Sequence, residues 1–525
     1  MKLLEPETMN GVKLGVAALG AGLLLLEILL RRAGRPDRLK RLRDAGLGAA
    51  GLAAALCWWN LFQPHFDPPR SALGWVHFSD AFHYYMGPKY FRELGYFDLY
   101  ECCAAAEQRL GDGEQVARRT YRDLESNVTV SGRTLLANAR RCEARFEPAR
   151  WQLFVHDVEW FRSRMPGWEG TMQDWGYNAT PGWNLLGSWL AGAGPVSERR
   201  LALLSLLDVP CLLAMWALVA FSFGWRTMGV ALIFWGTNLA AGSDWTGGSI
   251  LRQEWLLASV AGVCLLHRQM PVAGGAAIAY ATTLSIFPGF MALGIGLEAL
   301  VGWWRERRVR LDAEQRGLLI GAVLALALVL PLAAQSAGGM RAWLDFAANI
   351  RTDMQPAPNN VGLPMLLSYD GDSRLRMLKL ENRAAPARDW SEARKQTLER
   401  RTPLLFGILA AFLALFVAGT RRQPRFVVAI LGLGFAVLAL ELSCYYYAFL
   451  LLFGLLWQRH AGIGLALCCV SVASYLIHER WRDAEEFSTW LSFVVVAFVI
   501  FATTTARFTQ PRPPAPGVAT PARLG

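Results

Sequence analysis

The run GVKLGVAALGAGLLLLEILLRRAGRPDRLKRLR, residues 11–43, decides the class of this chain. Its apolar part, 11–30, has the length of a helix that crosses a bilayer. The arginines and lysines behind it are of the kind that stay on the cytoplasmic side. The N-terminus is therefore expected outside, with a second span, 47–62, carrying the chain back out. No small-residue cleavage site follows the first span, and the basic run lies after it, so the segment reads as an anchor and not as a removed signal peptide.

Composition agrees. Of 525 residues 54% are hydrophobic and only 18% charged, against about 25% charged in soluble domains, and the mean hydropathy is +0.25. The formal charge of +11 comes in short clusters between apolar runs, a membrane-topology pattern and not a nucleic-acid footprint, so no nucleic-acid partner is expected. The nine cysteines contain no CxxC pair. Those at 57, 211, 264, 468 and 469 lie in apolar runs as small packing residues. Cys102, Cys103 and Cys142 share a polar stretch, which leaves room for one disulfide if that stretch faces an oxidising compartment.

Outward from the first two spans, apolar runs alternate with short basic loops: 201–223, 228–241, 251–266, 272–287, 289–304, 317–334, 403–418, 426–442, 443–457, 461–477 and 490–505. The fold class is an all-α, multi-pass membrane protein with about thirteen transmembrane helices. Six regions follow: membrane helices over 1–62, a mostly helical extracytoplasmic lobe over 63–199, membrane helices over 200–336, a second extracytoplasmic segment over 337–402, membrane helices over 403–506, and a disordered, Pro-rich cytoplasmic tail over 507–525. Arg305, Arg307, Arg308 and Arg310, like Arg421, Arg422 and Arg425, mark cytoplasmic loops.

The chemistry is expected in SDAFHYYMGPKYFRELGYFDLY, residues 79–100. Asp80 stands beside His83, Tyr84 and Tyr85, and reads equally as a helix cap or as a catalytic carboxylate. The following PKYFRELGY reads as an amphipathic segment at a membrane surface, with Lys89, Arg92 and Glu93 on its polar side and Lys89 snorkelling. His156, Asp157 and Glu159 only loosely suggest metal-ligand spacing and read as a solvated helix face. Asp208, an acid in an apolar run, is assigned to backbone freed by Pro210; Glu441 is a further acid able to line the cavity. The apolar run at 177–192 is too short to span and is placed in the interface.

Several short motifs, in order, resemble the polyprenyl-phosphate-mannose-dependent mannosyltransferase-like family of the GT-C glycosyltransferase superfamily. SDAFHYY with LGYFDLY resembles the family's acidic first loop and its ending; YNATP (177–181) resembles its aromatic-proline stretch; GGSILRQEW (247–255) resembles a Gly-Gln element opening a span. SIFP (285–288) is similar to a Lys-aromatic-Pro break, with serine in place of lysine. NNVGLP (359–364) resembles an Asn-rich outer turn, and SCYYY (443–447) a Ser-x-aromatic-His-Tyr start, with tyrosine in place of histidine. The resemblance runs from about residue 47 to 457.

It implies a GT-C-like fold in the inner (plasma) membrane, with the site on the extracytoplasmic side, and a hexose, mannose-like, moved from a polyprenyl-phosphate donor to an acceptor. An inverting displacement needs a base on the acceptor side and positive charge at the leaving phosphate. Asp80 is then the base, with His83 and Tyr84 as its catalytic neighbours. Arg252, Gln253 and Arg351 take the donor phosphate, though Arg252 also reads as a plain partner of Glu254 or Asp244. Tyr85, Asp174, Tyr177, Asn360, Tyr446 and Tyr447 are assigned to substrate binding. No cofactor and no metal ligands are assigned, with a divalent metal left open. The rival reading is a non-enzymatic transporter or flippase for a lipid or polar solute, which predicts paired broken spans.

Overall fold

Helix starts follow local chemistry. Asp312 opens the Ala313–Ser336 helix with a complete capping box: its carboxylate accepts from the Gln315 amide at 2.8 Å, and Gln315 Oε1 accepts from the Asp312 amide at 3.0 Å. Thr180 caps the Pro181–Gly192 helix, accepting from the Trp183 amide at 3.1 Å, while its own hydroxyl donates to the Thr283 carbonyl at 2.5 Å. That second bond ties the short helix to the Pro271–Leu284 helix. The computed structural model describes residues 4–64, 66, 72–353, 355–383 and 385–508; the expected tail falls almost wholly outside them.

The architecture is that of a helical membrane protein. Each of the thirteen apolar runs is helical over most of its length, yet among the described residues only six helices are long and apolar enough to cross a bilayer: Pro6–Arg32, Glu198–Phe223, Ala313–Ser336, Pro386–Thr420, Ala461–Arg480 and Ala484–Arg507. The expected count of thirteen thus exceeds what helix length supports. Glu254–His267 has 14 residues, about 21 Å at 1.5 Å per residue, against a hydrocarbon core of about 30 Å. The 426–442 run is divided into Arg425–Gly432 and Gly434–Ala439, and the next begins as a 3-10 helix, Cys444–Leu450. The boundary set at 402/403 falls inside a single 35-residue helix, Pro386–Thr420, with Pro403 in its interior. The second span starts earlier than expected, inside the basic run, as Lys40–Trp58.

Helices approach closely where side chains vanish. At Gly321 an added Cβ would lie 1.8 Å from the Val272 carbonyl oxygen, and at Gly275 2.2 Å from that of Leu318, so this pair of glycines brings Pro271–Leu284 and Ala313–Ser336 together.

Two large apolar cores result. One is the membrane bundle; the other is the lobe, where Tyr85, Tyr90, Phe154, Phe161 and Trp168 are buried among the Phe78–Lys89, Leu99–Arg109 and Pro148–Arg164 helices. Trp255 packs against both. An antiparallel hairpin, Thr120–Asp123 with Val128–Ser131, interrupts the helical lobe. Cys102 and Cys142 form a disulfide between the Leu99–Arg109 and Ala139–Glu143 helices, and Cys103 stays a buried free thiol.

The lobe corrects two expectations. The segment after Pro88 is not a surface helix: Lys89, Tyr90, Phe91 and Leu94 are all buried. Lys89 does not snorkel and Asp157 is not on a solvated face. They form a fully buried pair, Nζ to Oδ2 at 2.5 Å. The Tyr90 hydroxyl donates to the same oxygen at 2.9 Å, the Val196 amide donates to Oδ1 at 2.9 Å, and Lys89 also donates to the Gly194 carbonyl at 2.6 Å. Such satisfaction on both sides is what makes burial of the two charges tolerable.

Candidate active site

The site forms where the lobe meets the membrane helices. His77 holds the start of the Phe78–Lys89 helix: its Nδ1 accepts from the Asp80 amide at 3.2 Å. Asp80 is therefore not the cap. It stands in the first turn with its carboxylate directed elsewhere. The His77 amide in turn donates to the Gly248 carbonyl at 2.8 Å, so the lobe helix is fastened to the 247–253 loop. Gly248 has φ +70°, and a Cβ there would lie 2.3 Å from the Trp75 carbonyl oxygen; only glycine permits this crossing.

That loop carries Arg252, and its backbone is pinned on both sides. Leu251 adopts φ 49°, a left-handed conformation costly for a branched residue. The Trp183 indole donates to the Leu251 carbonyl at 3.2 Å, Asp208 Oδ1 accepts from the Gln253 amide at 2.8 Å, and the Gln253 side chain donates to Thr246 Oγ1 at 3.1 Å. Asp208 thus serves the 247–253 loop and not the backbone around Pro210. Residue by residue, the loop has been shaped to hold one side chain.

The Arg252 guanidinium lies 2.9 Å, Nε to Oδ2, from Asp80, and neither Glu254 nor Asp244 is its partner. It also donates to the Tyr84 hydroxyl. Its carbon sits 4.3 Å from the Tyr84 ring centroid and 5.8 Å from that of Tyr445, a cation between two aromatic faces. Burial opposes its charge, but Asp80 and the surrounding tyrosines outweigh that and keep the guanidinium firmly protonated. The ion pair is close without being aligned: Asp80 Oδ2 and Arg252 Nε are both buried without a hydrogen bond. A cavity of about 10 Å³, room for roughly one water, opens beside Arg252 and is lined also by Gln253, Thr246, Trp255, Tyr445 and Tyr446.

The remaining expected residues divide. Tyr177 belongs to the same aromatic layer, 5.8 Å from Tyr84 and stacked on Tyr96, with its hydroxyl donating to Asn184 Oδ1 at 3.2 Å. Tyr446 packs on Phe287 and Trp255 at the cavity. Asn360 and Tyr447 lie in a seam behind it: Asn360–Val361 pairs with Leu442–Ser443, and the Tyr447 hydroxyl donates to the Val361 carbonyl at 2.7 Å.

His83 and Tyr85 make their side-chain hydrogen bonds within the lobe and not to Asp80. His83 Nε2 is 2.7 Å from the Tyr100 hydroxyl, and burial pushes its pKa down despite the acids at 174 and 80. The Tyr85 hydroxyl donates to the Gly194 carbonyl at 2.9 Å, beside Lys89. Asp174 is exposed, accepting from the Trp175 amide at 2.8 Å. Arg351 is exposed on the Arg341–Asp353 helix, with no ion pair among the described residues. Glu441 lies beside Asn360 in the seam, at Leu442–Ser443. Among the described residues no group of three or more His, Cys, Asp or Glu is placed to hold a metal ion.

Sequence reasoning did not assign Trp183 or His77 to the site, and it treated Tyr445 only as one of three tyrosines at the start of a span. Tyr445 carried a signal, its place in a tyrosine triplet; Trp183 carried none, because its role is a contact with a loop 68 residues away. The chain matches no protein-family model, no curated protein and no solved structure.

Proposed function

We propose that the chain is an integral membrane glycosyltransferase that moves a hexose, mannose-like, from a polyprenyl-phosphate donor to a hydroxyl of an extracytoplasmic acceptor. The observation that carries this reading is the close, misaligned pairing of a carboxylate from the lobe with an arginine from a pinned loop at the membrane helices. In the inverting step the acceptor oxygen attacks the anomeric carbon and its proton passes to Asp80. The bond from that carbon to the phosphate oxygen breaks, and its electron pair leaves with the polyprenyl phosphate, whose charge Arg252 takes up.

Arginine and carboxylate are each other's ionic partner across the junction. An arriving phosphate offers Arg252 better-aligned acceptors and so releases Asp80 to act as base. Tyr84 holds the guanidinium plane during that exchange. The Cys102–Cys142 disulfide favours an oxidising side for the lobe, and the basic 31–43 loop favours the cytoplasmic side for the opposite face.

A transporter reading draws on a different observation. Beside the cavity the backbone leaves α-helical geometry, as the Leu442–Ser443 strand and the 3-10 helix Cys444–Leu450, and broken helices of this sort form solute sites in transporters. Transfer of labelled hexose by purified, reconstituted protein separates the two: a transferase forms a glycosylated product in detergent, whereas a transporter needs a sealed vesicle to register any activity.

A further inference from the structure

We infer that the hairpin turn between the first two helices is a binding site for anionic phospholipid headgroups in the leaflet opposite the lobe. The inference does not depend on the proposed enzymatic activity.

Residues 31–43 hold seven basic side chains and a single acid, Asp37. The ion pairing around them is uneven. Glu27, buried on the Pro6–Arg32 helix, takes Arg31 at 2.5 Å, Arg226 at 2.5 Å and Arg43 at 3.8 Å, and Arg226 also reaches Asp44 at 3.2 Å. That acid is thereby used up on the inner side of the turn. On the outer side Arg32, Arg35, Arg38, Lys40 and Arg41 are exposed, with no ion pair among the described residues. Five unneutralised cations on so short a turn repel one another, and the chain keeps them together.

Two leucines complete the pattern. Leu39, at φ 56°, and Leu42 lie among these cations, 49% and 66% exposed. A turn facing water has no reason to expose them. A turn lying on a bilayer does: the leucines enter the acyl boundary while the guanidinium and ammonium groups meet phosphates. Trp225 stands at the same level, 47% exposed and against the Gly48 turn of the second helix, as an interfacial anchor would. The Pro6–Arg32 helix ends at this plane by its own length, since 27 residues span about 40 Å.

The test is a titration of the purified full chain with dioctanoyl phosphatidylglycerol and dioctanoyl phosphatidylcholine, followed by native mass spectrometry. Wild type is expected to bind the anionic lipid at least about tenfold more tightly. R35Q/R38Q/K40Q/R41Q should lose that preference, while the Arg→Lys version at positions 35, 38 and 41 should keep it. L39S/L42S, which leaves charge unchanged, should weaken lipid binding several-fold without altering the effect of inorganic phosphate added as competitor. Equal binding of the two lipids by wild type overturns the proposal, as does an unchanged preference in the quadruple variant. Displacement of the lipid by millimolar phosphate alone, or by an oligonucleotide at physiological salt, overturns it too, because the surface would then be a general polyanion patch.

Discussion

Asp80 and Arg252 face each other across the junction of lobe and bundle, and their substitutions should differ in kind. Asp80→Asn keeps shape and removes the base; transfer should fall by about 100-fold or more with donor KM little changed, measured as initial rates on reconstituted protein. Arg252→Lys preserves charge but not the planar fork, so it should behave much like Arg252→Gln and raise donor KM. Asp208→Asn retains an acceptor for the Gln253 amide and should stay near wild type, while Asp208→Ala leaves that amide bare, a loss of about 1–3 kcal/mol, and should raise KM as the loop loosens. His83 gives a pH signature in the lobe. Burial lowers its folded pKa below the 6.5 of the unfolded side chain, so unfolding takes up a proton as pH drops through that value. Lobe stability is then flat above about pH 6.5 and falls below it. His83→Gln should flatten the acid limb of a thermal-melt series between pH 5 and 7.5; an unaltered slope would assign the limb to other groups. His83 and Tyr85 also show what sequence proximity conceals: four neighbouring residues on one helix, 80 and 83 to 85, face three different surroundings.

Among elements, the 247–253 loop is where one atom decides the most. Gly248→Ala would force a Cβ to 2.3 Å from the Trp75 carbonyl at φ +70°, lifting the loop from the lobe helix and separating Arg252 from Asp80. Its transfer rate should fall like that of Arg252→Gln while the melting of the lobe stays close to wild type. The buried Lys89–Asp157 pair predicts the opposite. Lys89→Met alone strands a carboxylate among aromatic side chains and should cost about 3–5 kcal/mol, and pairing it with Asp157→Leu should recover much of that. A chemical-denaturation series on the three proteins would read it. These elements were legible to different degrees. Apolar periodicity located all thirteen helical runs, because burial and lipid exposure both demand apolar side chains. It could not fix their lengths, since a buried half-helix and a spanning helix share that demand. The side chains after Pro88 looked amphipathic because Lys89 and its partner Asp157 are 68 residues apart.

Across the molecule, two apolar cores meet at Trp255, and the Asp80–Arg252 pair joins one to the other. Composition made the membrane class plain. Asp80, Tyr84, Arg252 and Gln253, expected from the motif resemblance and the chemistry it implies, do assemble, whereas Arg351 and Asp174 lie exposed. What the sequence hid was long-range: the Trp183 and His77 contacts exist only once the lobe has docked, and Asp208 reaches the Gln253 amide across 45 residues. The proposed orientation, with the disulfide lobe on the extracytoplasmic side and the basic turn on the other, makes a prediction of its own. A membrane-impermeant thiol reagent applied to sealed right-side-out membranes should label a cysteine placed at Glu143, and should label one placed at Arg38 only after permeabilisation. The most direct test of the junction as a catalytic site is hexose transfer from a radiolabelled polyprenyl-phosphate-hexose to an endogenous membrane acceptor, using membranes that hold matched amounts of wild type, Asp80→Asn or Arg252→Gln. Label should enter product with wild type and fall to background with both variants. Equal labelling by all three proteins would mean that the Asp80–Arg252 pair only fastens the lobe to the bundle.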